Sequence, residues 1–443
     1  MNPALFIAPD LWYHGQKREG GGRMLHLLLG TDWTANRDEI MKQIAADIAG
    51  RKGNRILMVP ELISHETERR LCAAGGDTAS RYAEVLSFTR LARRVADSMG
   101  SAAEECLDNG GRVVAMAAAA KNLVSRLKAY AAVETKPEFL TGLIDAVDEF
   151  KRCCISSEDL SRAAEETEGS LAQKLEELSL LMESYDALCS RGKRDPRDQM
   201  TWLLEQMEQG DFAKEHVFYI DGFPDFTRQH LAILEHLIQA SPDVTVSLNC
   251  DREDSRLLAF EKAGDTASQL LRCARRAGVD VRIKTVPGKR LPLSPVREGL
   301  FQGAISRGAA KGCLDVFRAE SPYLECMGAA ERIRGLLAAG CRCRDITVVC
   351  TDMTVYQPLV NLVFHRLHIP VYQSGTEDIL QKSVIATVLT ALDAALSGFD
   401  QKSVLRYLRS ALSPVDPDTC DRIENYAIIW GIRGQKWAQS WEN

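Results

Sequence analysis

Leu25-His26-Leu27-Leu28-Leu29-Gly30-Thr31-Asp32-Trp33-Thr34-Ala35-Asn36-Arg37 is the stretch on which the fold turns. An apolar run of five residues closed by a glycine reads as a strand buried on both faces, which is the habit of parallel sheets. The residues that follow place Ile40, Met41, Ile44 and Ile48 at helical spacing. The same unit then repeats. Arg55–Val59 is a second apolar run, closed by Pro60, with a charged helix over 64–72. Glu84–Phe88 is a third, with a helix over 89–99. Strand alternating with helix predicts an α/β layer built on a parallel sheet. From about 103 to 209 the pattern becomes almost wholly helical. It reverts at Val217–Asp221, with a helix over 227–239, strand Val244–Leu248, a helix over 263–277 and strand Val281–Val286. Pro287, Pro292 and Pro295 mark a linker. A second α/β unit is expected beyond it, with strands Leu314–Phe317, Asp345–Cys350 and Val371–Gln373, helices over 323–339 and 356–367, and two more over 382–397 and 400–411.

Composition narrows the class. The 443 residues are 45% hydrophobic and 26% charged, with a formal net charge of −6. That is globular material of two or three domains, without the global basic excess common among nucleic-acid binders. Any nucleic-acid contact must come from a local basic channel or from a partner. The thirteen cysteines are scattered, with close groups only at Cys153-Cys154 and Cys341-Arg342-Cys343. No C-x-x-C pair exists, so no zinc or iron–sulfur ligand set is indicated. No apolar run is long enough to cross a membrane, and a cytoplasmic location is expected. Residues 1–23 read as an irregular leader, with Met24 as an alternative start.

The loop after the first strand sits where P-loop proteins hold nucleotide. That chemistry needs glycines whose N–H groups wrap phosphate, a lysine for the outer phosphates and a hydroxyl for magnesium. Only Gly30 is of the right type. Asn36 stands at the lysine position and Arg37 at the hydroxyl position, while Trp33 fills phosphate space and Asp32 adds a negative charge. The later strand Val217–Ile220 ends in Asp221, a magnesium-side carboxylate in P-loop enzymes, but Gly222 stands where superfamily-1 helicases place a glutamate base. No ATP hydrolysis by this chain is expected.

The order of motifs resembles AddB, the inactive helicase-like subunit of AddAB (RexAB) helicase–nucleases. The stretches that carry the resemblance are GTDWTANRDEIM (30–41), VPELISHETERRL (59–71), VLSFTRLARRV (85–95), FYIDGFPDFTRQHLAILEHLI (218–238), YLECMGAAERIRGLL (323–337), ITVVCTDMTVYQPLVNLVFHRLHIPVY (346–372) and ENYAIIWGIRGQKW (424–437). The resemblance implies a superfamily-1 helicase architecture, truncated here. A first RecA-like domain would span 24–110 and 210–290, a helical insertion 111–209, an incomplete second RecA-like domain 300–411, and the start of a further insertion 412–443. It implies a nuclease and a 4Fe–4S cluster, with magnesium, only in a C-terminal part beyond Asn443, and no cofactor in this chain. It also implies double-strand-break repair by homologous recombination, an AddA-type helicase–nuclease partner, and single- and double-stranded DNA as ligands. The strand would be threaded through the protein and scanned for a Chi sequence.

Such a channel uses aromatic stacking, cations on phosphates and polar side chains on base edges. The matching positions are Ser64, Phe88, Arg90, Phe223 and Phe226, all near the carboxyl ends of strands, where ligands of open α/β sheets gather. Phe88 is the foremost of these, and core packing is the alternative for each phenylalanine. Gly30, Asn36, Arg37 and Asp221 make up the degenerate nucleotide site, and no metal site or catalytic residue is assigned. The basic run Arg191, Lys193, Arg194, Arg197 either caps a solvated turn or touches phosphate. Two further readings stand beside the DNA-binding scaffold. One is an ATP-driven translocase, opposed by Asn36, Arg37 and Gly222 together. The other is a protein-interaction module docking through the helical insertion.

Overall fold

The computed structural model describes residues 22–441 apart from 77, 101–105, 131–136, 256, 290, 301–311 and 374–378. The leader expected over 1–23 lies almost wholly outside the described residues. The chain divides into two compact units, Met1–Leu314 and Asp315–Asn443.

The first unit opens with β1 (Met24–Leu29), α1 (Trp33–Ala49), β2 (Arg55–Met58), α2 (Glu61–Gly75), β3 (Ala83–Leu86) and α3 (Phe88–Ser98). Helices α4 (Asn109–Asn122), α5 (Pro137–Arg152), α6 (Ser157–Glu165), α7 (Gly169–Cys189), α8 (Gln199–Gln209) and α9 (Phe212–Glu215) intervene. The unit continues with β4 (Val217–Ile220), α10 (Arg228–Ala240), β5 (Asp243–Leu248), α11 (Glu261–Ala277), β6 (Asp280–Thr285) and α12 (Ser294–Leu300). The strands form one sheet in the order β3-β2-β4-β5-β1-β6, and every pairing is parallel. All carboxyl ends therefore lie along one edge.

The period of two along a strand explains why β1 is so apolar. Leu25, Leu27 and Leu29 join a core with α3, α8, α10 and α11, while Leu28 joins Ile40, Ile44 and Tyr219 on the opposite face under α1 and α2. Ile56 and Met58 alternate with Leu57 in the same way. Helices cover both faces, which is the α/β arrangement expected of a RecA-like domain. The intervening helices split differently from the expected boundary of 111–209. Helices α4 to α7 share a core of their own around Met116, Leu143, Leu181 and Tyr185. Leu203 and Met207 of α8 instead belong to the sheet core.

One strand limit is corrected. The strand expected over Glu84–Phe88 stops at Leu86, the end of β3. Ser87 then caps α3, its hydroxyl accepting the Arg90 N–H at 3.2 Å. Phe88 is thus the first helical residue, not the last extended one.

The second unit contains α13 (Pro322–Ala338), α14 (Met353–Arg366), α15 (Ser383–Leu396), α16 (Gln401–Leu408) and α17 (Pro417–Trp430). Cys326, Ile333, Val363, Phe364 and Ile369 form its small core. The expected strands Asp345–Cys350 and Val371–Gln373 are not formed, nor is Leu314–Phe317 at the junction; among the described residues beyond β6 no strand occurs. A strand exists only by hydrogen bonding to a neighbour. Val349 is 87% exposed and Tyr372 is 89% exposed, so β propensity is present here without a ladder to join.

Candidate nucleotide cleft and nucleic-acid interface

Gly30, Asn36, Arg37 and Asp221 do converge at the carboxyl edge of the sheet, and their mutual contacts fill the place. Asp32 is the N-cap of α1. One carboxylate oxygen accepts the Thr34 and Ala35 N–H groups at 3.0 and 3.3 Å, and the other accepts the Lys289 N–H at 3.0 Å. The anion-binding end of the helix is therefore occupied by the chain's own anion. Asn36 turns inward, its amide donating to the carbonyls of Leu248 at 3.1 Å and Gly30 at 3.3 Å. A Cβ on Gly30 would strike the Asn36 Oδ1 and stand 2.9 Å from the Val286 carbonyl. That glycine serves close packing, not phosphate approach.

Arg37 completes the closure. Its Nε donates to Asp221 Oδ2 at 2.7 Å, and both side chains are buried. Ser247 Oγ donates to the other Asp221 oxygen, and the guanidinium lies 4.7 Å from the centre of the Trp33 ring. A fixed cation thus sits on the carboxylate that would face magnesium. Gly222, at φ +81°, brings the chain against Arg37, where a Cβ would stand 3.1 Å from Nη2. A glutamate there would be strained by the left-handed backbone and would press on Arg37 and Ile63. These residues do not fit a magnesium nucleotide. Asn36, Arg37 and Gly222 were legible as departures from a phosphate-binding motor, and Asp221 as the one carboxylate kept; Ser247 and Lys289, far along the chain, carried no local signal.

The five nucleic-acid candidates fare unequally. Ser64 is 6% exposed within α2, its hydroxyl donating to the Glu61 carbonyl at 2.8 Å. It bonds back along its own helix, which removes it from base-edge contact. Phe88 is 5% exposed. One ring face stacks on His230 with centroids 4.1 Å apart, and Phe223 meets it edge-on at 5.4 Å. As placed, Phe88 has no open face for a base, so the expectation of a stacking platform shifts to its neighbours. Phe223 and Phe226 pack at 5.2 Å and are only partly buried. Arg90 pairs with Glu68 at 2.6 Å at the surface.

His230 is the member of this aromatic group that residue patterns did not single out. Thr227 caps α10 through the His230 N–H at 3.2 Å, which turns the imidazole under Phe88. Burial pushes its pKa down to about 4, against a weaker upward pull from Asp225. A neutral ring stacked on Phe88 is the consequence.

The family described as "ADDB, N-terminal" matches residues 27–294. A protein from Desulforudis audaxviator, named as the B subunit of an ATP-dependent helicase/deoxyribonuclease, is 29% identical over 402 residues, covering 86% of this chain and 34% of that protein. Proteins of the same name from Clostridium acetobutylicum and Desulforamulus reducens are each 26% identical, covering 86% and 93% of this chain and 34% and 38% of their own lengths. The chain spans about a third of the length of these relatives. No helix among the described residues is long and apolar enough to cross a membrane. With the family matching more than half of the residues, across both the closed cleft and the aromatic crest, this chain belongs to the AddB N-terminal family.

Proposed function

We propose that this chain is the helicase-like, nucleotide-inert portion of a helicase–deoxyribonuclease of the AddB type, and that it holds single-stranded DNA across the carboxyl edge of its sheet. The observation that carries the reading is the Arg37–Asp221 pair, which fills the motor cleft with a permanent internal ion pair. Beside it, Phe223 and Phe226 stay partly open with Arg90 nearby in α3. A strand stacked on those rings, delivered by an AddA-type motor, would be read for a Chi sequence during recombinational repair of double-strand breaks. Base–aromatic stacking contributes about 1–3 kcal/mol per base. Phe223→Ala with Phe226→Ala is therefore expected to weaken oligonucleotide binding at least about tenfold, measured by fluorescence anisotropy. Unchanged affinity in that double variant removes the rings from the DNA path. Robust magnesium-dependent ATP turnover by the chain would favour a translocase instead.

A further inference from the structure

The turn joining α7 to α8, Arg191-Gly192-Lys193-Arg194-Asp195-Pro196-Arg197-Asp198, mixes four cations with two carboxylates. The fold sorts them. Asp195 is 0% exposed, accepting Lys151 Nζ at 3.3 Å, Arg112 Nη2 at 3.4 Å and the Arg197 N–H at 2.9 Å. Asp198 accepts the same lysine at 2.7 Å. Arg197 is drawn back onto Asp148 at 2.7 Å. Both acids thus serve buried cations of the helical core, while Arg191 and Lys193 are exposed.

A second cationic element meets this turn. The Leu107 N–H donates to the Arg194 carbonyl at 2.8 Å. Arg93 of α3, also exposed, lines one small hollow with Arg194, Cys106, Gln199 and Trp202. The Arg194 guanidinium lies 5.9 Å from the centre of the Trp202 ring. The turn also abuts the aromatic crest. Gln229 Nε2 donates to the Arg197 carbonyl at 3.0 Å, and its neighbour His230 is the ring stacked on Phe88.

We infer that Arg93, Arg191, Lys193 and Arg194 form a phosphate track for single-stranded nucleic acid, running from the aromatic crest along the junction of the helical insertion with the sheet. A turn anchored from beneath by buried carboxylates has its backbone fixed before a strand arrives, so only the cationic side chains remain to be ordered on binding. Phosphate contacts of this kind position a strand without reading its sequence. The track rests on the proposed DNA-holding role and adds the backbone-binding half of the site, which the aromatic residues alone do not supply.

The test is binding of a labelled oligothymidylate and a labelled oligoadenylate to the intact chain as salt is raised. Each phosphate contact on a single strand contributes about 0.7 to the slope of log affinity against log salt. The exposed-site variant Arg93→Gln, Arg191→Gln, Lys193→Gln is expected to flatten that slope by about 2 and lower affinity about a hundredfold near 0.1 M salt, equally for both oligonucleotides. The variant Arg93→Lys with Arg191→Lys, in which Lys193 is kept, is expected to match the parent chain in both quantities, since a point charge suffices for phosphate. If the parent chain binds and the triple variant keeps its affinity and slope, the track is overturned while the DNA-holding role stands. If the parent chain does not bind either oligonucleotide, the role itself fails and the track with it. If the variant binds DNA normally but loses association with an acidic protein partner, the surface belongs to that partner and the track is again overturned.

Discussion

Two sets of buried charges lie in the first unit, one in the cleft after β1 and one inside the helical insertion. In the cleft, Arg37 and Asp221 meet, with Ser247 on the other carboxylate oxygen. In the insertion, Arg112 and Lys151 share Asp148, Asp195, Asp186 and Asp198, with the Tyr185 hydroxyl accepting from Arg112 at 3.2 Å. Burial raises the Asp148 carboxyl, but Arg112 and Arg197 donating to it outweigh that and hold it below the usual carboxylate range. The first set closes a place where a ligand would otherwise bind. The second ties helices together and aims a turn outward. Buried charge alone does not reveal a function; where its remaining partners lie does.

The largest effect expected is in the cleft. Arg37→Met leaves Asp221 buried without its cation and should cost about 3–5 kcal/mol in denaturant unfolding. Arg37→Met with Asp221→Leu should recover most of that loss, because removing both charges also removes their desolvation. A double variant as unstable as the single would show that the pair is not what matters there. In the insertion the charge is shared among more partners, so a single change should cost less. Asp195→Asn keeps the shape but loses one anion, with about 1.5–3 kcal/mol expected by the same measurement.

The aromatic crest between the two regions gives a pH test. The folded pKa of His230 is lowered to about 4 from 6.5, so the unfolded chain takes up its proton first as the pH falls. Its stability contribution is intact above 6.5, drains away between 6.5 and 4, and is constant below. Each pH unit in that window corresponds to about 1.4 kcal/mol, so roughly 2 kcal/mol should be lost from this group by pH 5. His230→Phe should remove that component of the pH dependence. The smallest effect belongs to Arg90→Ala. Its pair with Glu68 is solvent-exposed, so less than about 1 kcal/mol of stability is expected, with any loss of DNA affinity seen separately.

The sheet was legible because burial on both faces leaves a plain mark: four leucines in five residues for β1, and apolar runs of similar length for β2, β4 and β5. The cleft was legible as a set of missing groups, since Asn36, Arg37 and Gly222 each break a known chemical requirement. What those residues do instead was not legible. The partner of Arg37 lies 184 positions away, and no local pattern joins Asn36 to the Leu248 carbonyl. Phe88 misled for a related reason. Its expected place as the last residue of a strand suggested an exposed platform, whereas the strand stops at Leu86 and the Ser87 cap starts a helix that turns the ring onto His230. In the second unit the runs of strand composition are indeed apolar, but strand formation depends on a neighbour that local sequence does not specify.

Closure of the cleft by its own charges is tested most directly by titrating the chain with magnesium ATP, followed by calorimetry with a parallel hydrolysis assay. No saturable binding into the millimolar range and no turnover are predicted. Saturable, magnesium-dependent binding that Asp221→Asn abolishes would contradict the closure, because it would mean that Arg37 yields its carboxylate to the metal.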